Sequence, residues 1–282
     1  MIAANFHGHC TYCDGHAAPE EFIRAAIAQG FRAYGFSSHS PLPFATTWNM
    51  SSDKMPSYIL EIIRLKEKYR EQIEIYAGLE IDYLDETYNA SIPYFQSLPL
   101  DYRIGSIHFL PWRRPLEEDN MTCIDGSYEI FEGAVNTHYN RDIRLIVKDF
   151  FETSMRMVEI GGFDIVGHID KIYMNGHLYQ GFDIEADWFR KPFLELLDLV
   201  AEKGLIVEIN SKYELRRQQT FPHYNAYKEL KIRNIPVMVN SDCHYPDLVN
   251  DGRPEVLERL KDAGIKSTRE LSKGKWKDFS IN

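Results

Sequence analysis

The stretch Asn5-Phe6-His7-Gly8-His9 carries two imidazoles one residue apart. Side chains alternate with period two along a β-strand, so at a strand end His7 and His9 face the same way and can grip one metal ion. An isolated His-x-His is as often a pair of polar turn residues. Here His39, Glu80, His108, His168, Asp242 and His244 recur downstream, each in or just after a short apolar run. Imidazole nitrogen with carboxylate oxygen suits zinc, manganese or iron and not a structural, cysteine-rich zinc site. So many candidate ligands exceed what one ion needs and point to two or three divalent ions, with Glu80 and Asp242 able to bridge. Such clusters polarise a phosphoryl oxygen and lower the pKa of bound water from nearly 16 to about 7. A phosphate ester or a similar anionic electrophile is the natural substrate.

Elements that could bring these residues together are legible as alternating strand-like and helix-like runs, the pattern of a βα architecture with a parallel sheet. The strand-like runs after the first are 32–38, 74–83, 102–110, 164–170, 205–210 and 236–244. Helical runs fall at 19–29, 55–69, 141–160, 186–203, 223–233 and 254–263, with Pro192 expected to delay the start of the fourth. Pro19 opens the first helix and Gly30 stops it. Seven strands, each leading toward a helix, predict an α/β fold of the TIM-like β/α barrel kind, whose chemistry belongs at the C-terminal strand ends. His7 and His9 end the first strand and His39 follows the second. Glu80 lies late in the third, His108 late in the fourth, and His168 near the end of the fifth, while Asp242 and His244 end the seventh. Residues 111–138 are irregular and long for a connection, the character of a functional cover. Without a repeat, low-complexity segment or linker, residues 1–282 read as a single domain.

Composition narrows the function classes. The chain has 282 residues, 44% of them hydrophobic, enough to bury a full core. Its net charge of -10 and lack of a Lys/Arg stripe offer nothing for nucleic acid. No apolar run approaches a membrane span, and the His-x-His stretch begins too early to leave room for a signal peptide, so a cytoplasmic location is expected. Cys10, Cys13, Cys123 and Cys243 are too few for a disulfide framework. Cys10-x-x-Cys13 lacks a second pair at zinc-ribbon spacing and reads mainly as small residues near the site, with a redox or ligand role as the lesser alternative.

Seven short motifs, in order, resemble those of the PHP (polymerase and histidinol phosphatase) family. They are His7-Gly8-His9, Cys13-Asp14-Gly15-His16, the Gly-Phe-Ser-Ser-His-Ser-Pro run at 35–41, Gly78-Leu79-Glu80, Gly105-Ser106-Ile107-His108, Gly167-His168-Ile169-Asp170 and Asn240-Ser241-Asp242-Cys243-His244. The likeness covers residues 1 to about 245. Ser38 to Phe44, and Glu208-Ile209-Asn210 followed by Leu215-Arg216, resemble the histidinol-phosphate phosphatase branch. The resemblance implies a distorted seven-stranded β/α barrel with a trinuclear site. One ion would take His7, His9, Glu80 and Asp242, and a second would share Glu80 and add His108 and His168. A third would take His16, His39 and His244, with Asp14 as the alternative to His16.

The reaction so implied is hydrolysis of L-histidinol phosphate to L-histidinol and phosphate, with a metal-bridging hydroxide attacking phosphorus and Glu80 and Asp242 in the catalytic centre. A protein cation should orient the phosphate. Arg216 is the first choice because it follows the sixth strand, with Lys171 second and Arg217 as a neighbour able to swap roles. Asp170 would orient a neighbouring ligand, and His223 would protonate the leaving alkoxide. Phe44, Trp48 and Trp112 could wall an imidazole pocket, and Arg113 and Arg114 could clamp phosphate. The nearest competing reading is a PHP phosphoesterase acting on nucleotides or another small phosphorylated metabolite. Others are a metal-binding module without activity and an amidohydrolase-like barrel, which would call for a catalytic lysine among the ligands.

Overall fold

A computed structural model describes residues 4–111 and 121–281. Trp112, Arg113 and Arg114 lie outside the described residues. Seven parallel strands follow one another in chain order around one curled sheet: β1 (Ala4–Asn5), β2 (Ala33–Phe36), β3 (Glu74–Asp82), β4 (Tyr102–Ser106), β5 (Ile165–Val166), β6 (Ile206–Tyr213) and β7 (Val237–Asn240). Helices, among them Pro19–Ala28, Met55–Lys68, Ile143–Ile160, Asp187–Lys203, Ala226–Ile232 and Arg253–Asp262, return the chain between strands or follow the last one. This is the distorted TIM-like α/β barrel that the pattern of the sequence predicts.

The distortion lies at the seam. β1 and β7 meet through one backbone bridge, Gly8 to Cys243, with the His9 amide donating to the Cys243 carbonyl at 2.9 Å. Elsewhere side chains take the place of the ladder. Asn5 Nδ2 donates to Ser241 Oγ at 2.8 Å, and the Phe6 amide donates to Asn240 Oδ1 at 2.8 Å. Asn5 Oδ1 also accepts from the Ser241 amide at 3.2 Å; buried backbone amides must be paired, and short asparagine side chains reach those of Phe6 and Ser241 where the strands diverge.

Tyr102 fills the N-terminal half of the barrel. Its hydroxyl donates to the carbonyls of Phe6 at 2.6 Å and Phe36 at 2.9 Å. A Cβ at Gly78 would stand 2.3 Å from its ring, so that glycine makes room for it. Phe6, Ile104, Ile165, Ile206 and Met238 complete this apolar layer, and Leu271 with Trp276 closes it from below. Both belong to an antiparallel hairpin, Ser267–Ser272 with Lys275–Ser280, that alternation in the sequence did not reveal. The lower half of the barrel is therefore plugged with hydrocarbon. Polar groups collect at the other pole.

Three expectations about elements need correction. The fourth strand stops at Ser106, and Phe109–Pro111 instead pairs with Met121–Cys123, so His108 sits in the turn between two strands. Asp82 imposes that turn by accepting the His108 amide at 3.2 Å. Pro192 lies inside the Asp187–Lys203 helix and does not delay it. A proline forfeits one intrahelical bond, and here the burial of Phe189, Phe193, Leu196 and Leu197 offsets that loss. The stretch 111–138 contains the helix Tyr128–His138. Among the described residues, no helix is long and apolar enough to cross a membrane.

Candidate metal centre

Strand geometry delivers most of the candidate side chains to the C-terminal pole. Glu80 lies in β3, and pairing with β2 continues past the end of that strand, so that His39 bridges to Glu80 and the Ser40 amide reaches the Glu80 carbonyl at 2.9 Å. His7 and His9 share one face beyond β1, as period-two alternation requires. His168 and Asp242 follow β5 and β7 with φ of +22° and +48°. Non-glycine residues seldom adopt that conformation, and it turns both side chains inward.

Glu80 is the hub. Its Oε2 lies 3.0 Å from His39 Nδ1, 3.2 Å from His7 Nε2 and 3.6 Å from His9 Nε2. Its Oε1 lies 2.8 Å from His168 Nε2 and 3.4 Å from His108 Nε2. Asp242 Oδ1 stands 3.2 Å from His9 Nε2 and 3.8 Å from His7 Nε2. Three groups have ligand atoms close enough to hold an ion: His7, His9 and Asp242; His39, Glu80 and His108; and His9, Asp14, His39 and His244. The buried atoms His7 Nε2, His9 Nε2, His39 Nδ1, Glu80 Oε2 and Asp14 Oδ1 have no hydrogen-bond partner. Unpaired buried polar atoms are costly and rare, and here they converge on one another. Metal ions fit such a donor set.

Charges respond accordingly. Burial would raise the Glu80 carboxyl, yet His7, His39 and His108 hold it well below the usual carboxylate range. Burial likewise opposes ionisation of Asp242, but Lys212 and His7 keep it well below. Burial together with the neighbouring His39 and His244 depresses His9 well below an ordinary imidazole. His108 goes the other way: burial would lower it, but Asp82, Glu80 and Asp125 push it up to about 9.

The structure brings His7, His9, His39, Glu80, His108, His168, Asp242 and His244 together and leaves His16 out. The His16 amide donates to the His244 carbonyl at 2.8 Å, and its exposed ring stacks on Tyr245 at 4.2 Å. Asp14 takes the inward position, 3.2 Å from His244 Nε2 and 3.8 Å from His39 Nε2. Beside the cluster opens a cavity of about 200 Å³ lined by His16, Lys212, Arg216, Asp242, His244 and Tyr245. Arg216 thus borders the centre. Arg217 turns away and lies 4.6 Å over the Tyr213 ring, because successive residues of the short helix Glu214–Arg217 point about 100° apart. Lys171 is buried, its ammonium 3.6 Å from Asp125, which in turn lies 4.0 Å from His108. Trp48 packs edge-on against His39 and His108, and stacks on Phe109, which Phe44 meets edge-on.

Two further expectations fail on position. Asp170 orients no cluster imidazole; its Oδ2 accepts from the His223 amide at 2.9 Å and pairs with His223 Nδ1 at 2.6 Å. His223 lines a different cavity, with Phe189, Phe193 and Tyr224, into which no cluster residue projects. The four cysteines are free; Cys13 Sγ approaches His9 Nδ1 at 3.5 Å, but burial pushes its thiol up and disfavours a thiolate.

Four residues of the candidate site were given no role from the sequence: Asp82, Asp125, Lys212, and Glu208, which entered only through the Glu208-Ile209-Asn210 likeness. Asp82 Oδ1 pairs with His108 Nδ1 at 2.9 Å, and Glu208 Oε1 with His7 Nδ1 at 2.6 Å. Lys212 Nζ sits 3.1 Å from Asp242 Oδ1. A signal for three of them existed. Asp82 is two residues beyond Glu80, while Glu208, Asn210 and Lys212 form a period-two polar stripe on β6, pointing the same way as its inner face.

Comparison with known proteins agrees with this geometry. A Bacillus subtilis protein named histidinol-phosphatase is 25% identical over 274 residues, covering 90% of this chain and 97% of its own. A Deinococcus radiodurans protein named "Probable histidinol-phosphatase" is 27% identical over 264 residues, 92% of each chain. A structure from Listeria monocytogenes superposes with a TM-score of 0.79 at 21% identity, over 89% of this chain and 99% of that one. The Lactococcus lactis histidinol phosphate phosphatase, solved with zinc, L-histidinol and phosphate, gives 0.75 at 18% identity, over 98% of this chain and 99% of that one. These likenesses establish a shared fold. The PHP-domain model matches residues 5–212, a span that runs from the lead of the His-x-His pair to Lys212, and by that match the chain belongs to the PHP family.

Proposed function

We propose that this protein is a metal-dependent phosphatase that hydrolyses L-histidinol phosphate to L-histidinol and phosphate. The observation that carries the reading is the convergence of unpaired buried imidazole and carboxylate atoms on Glu80, beside a cavity bearing Lys212 and Arg216. Near full-length likeness to proteins named histidinol-phosphatase supports the choice of substrate. His7, His9 and Asp242 would hold one divalent ion, Glu80, His108 and His168 a second, and Asp14, His39 and His244 a third, with Glu80 also within reach of the first. The donor set suits zinc, manganese or iron, and the zinc in the Lactococcus lactis structure supports the first. When bound, such ions polarise a phosphoryl oxygen and make water nucleophilic near neutral pH.

The chain's own residues do the rest. Glu80 and Asp242, held ionised, balance the charge of the ions. Lys212 and Arg216 present cations to the phosphate from the cavity wall, and Trp48 shields His39 and His108 from water. Arg216→Ala is expected to raise KM about tenfold, the scale of one exposed charge-assisted contact, with metal content unchanged. Wild-type kinetics in that variant would remove Arg216 from the phosphate site.

Metal affinity should fall with acid. Against the effect of burial, neighbouring carboxylates push His108 up to about 9 and His7 well above an ordinary imidazole, so each favours a proton that an incoming ion must displace. Each displaced proton changes affinity about tenfold per pH unit, so with two of them binding should weaken about ten-thousandfold from about pH 8 to about pH 6. Competition with a chromophoric chelator across that range reads the slope directly.

The decisive test compares kcat/KM for L-histidinol phosphate with that for nucleotides and sugar phosphates, on protein whose metal content has been counted. A clear preference for histidinol phosphate supports the reading. Weak, even turnover across the panel makes the protein a PHP phosphoesterase of different substrate.

A further inference from the structure

Glu208 lies on β6, fully buried, and does not line the cavity. Its two oxygens accept four hydrogen bonds from four separate segments. Oε1 pairs with His7 Nδ1 at 2.6 Å and accepts from Asn240 Nδ2 at 3.0 Å. Oε2 accepts from the His168 amide at 3.0 Å and from Asn210 Nδ2 at 3.2 Å. The same Asn210 Nδ2 donates to Asp242 Oδ2 at 3.1 Å. One carboxylate therefore reaches three candidate ligands on different strands: His7 through its ring, His168 through its backbone, and Asp242 through Asn210.

Each contact has a definite effect. An acceptor at Nδ1 keeps a proton there, so the proton that an ion displaces from His7 is the one on Nε2, which faces Glu80 and Asp242. The bond to the His168 amide holds that residue at a φ of +22°, and the Asn210 bond holds the carboxylate of Asp242, itself at +48°. Both conformations are sparsely populated for residues other than glycine and persist only where surroundings over-determine them. Four donors also saturate the acceptor capacity of an ionised carboxylate, and only an ionised one can accept them all.

We propose that Glu208, with Asn210 as its relay, is the positioning residue of the metal centre: it sets the tautomer of His7 and locks the backbone of His168 and the carboxylate of Asp242. The inference rests on the metal reading given above. Glutamine is nearly isosteric but must turn its amide NH2 toward one pair of donors, so Glu208→Gln breaks two of the four contacts without changing volume.

The test is titration of metal-free wild type, Glu208→Gln and Asn210→Ala with zinc against a competing chelator, with cobalt substitution reporting coordination geometry. Circular dichroism and the Tm of the metal-free proteins check the fold. Glu208→Gln should fold, bind zinc about 10- to 100-fold more weakly and shift the visible bands of bound cobalt. Asn210→Ala should show a smaller loss of the same kind, and it carries the test should Glu208→Gln not fold. Wild-type zinc affinity and an unchanged cobalt spectrum in the folded variants would overturn the positioning role while leaving the metal reading standing. A wild type that takes up no zinc or cobalt overturns both.

Discussion

Glu80→Ala is expected to strip the centre of metal and lower kcat by at least about a hundred- to a thousandfold, the scale of losing one major electrostatic stabiliser. Five imidazoles lie within 3.6 Å of its two oxygens. Removing it withdraws a ligand and also the negative charge that offsets the ions. Glu80→Gln should fail nearly as badly, because a neutral amide keeps the shape but cannot bridge two cations through two oxygens. Mass-spectrometric metal counting together with phosphate release checks both variants. A Glu80→Ala protein with full metal content and wild-type turnover would sink the assignment of the hub.

Lys212→Met should lower kcat/KM for the phosphate ester about 10- to 100-fold while metal content holds, the cost of one charge-assisted hydrogen bond. Burial opposes the charge on Lys212, yet Asp242 outweighs it and raises the lysine, so the ammonium stays charged. Methionine keeps the hydrocarbon stem and removes only the charge. Lys212 faces both Asp242 and the cavity that Arg216 lines, so the two measurements separate its possible duties. Parallel loss of metal and activity would mean that it serves Asp242 and not the substrate. Lys212→Arg should recover part of the loss, since the charge returns on a longer, planar group.

How far the site was legible follows from which geometry is local. Alternation along a strand places His7 with His9, and the rule that barrel chemistry gathers at C-terminal strand ends groups His39, Glu80, His168, Asp242 and His244. His108 was legible as a candidate although its strand ends earlier than its pattern suggests, because the turn that delivers it depends on Asp82 from the neighbouring strand. Asp14 and His16 were not separable. They are two residues apart in a turn, where backbone bonds to His244 and not side-chain type decide which faces inward. His223 was offered as the acid for the leaving alkoxide, and the structure places it elsewhere. Asp170 holds it beside a cavity that the helix residues Phe189 and Phe193 line, a contact 53 residues apart in the chain that no local pattern records.

By itself the sequence determined the residue types, their alternation with apolar runs, and hence a seven-stranded barrel with candidate nitrogen and oxygen ligands at one pole. Those properties depend on neighbours within a few residues, where the backbone repeat sets direction. Only the tertiary structure decided the partners: Asp82 for His108, Glu208 for His7, and Lys212 for Asp242. His7 and Glu208 stand 201 residues apart in the chain and 2.6 Å apart in space. The curl of the sheet makes that contact, and curvature is a property of all seven strands together.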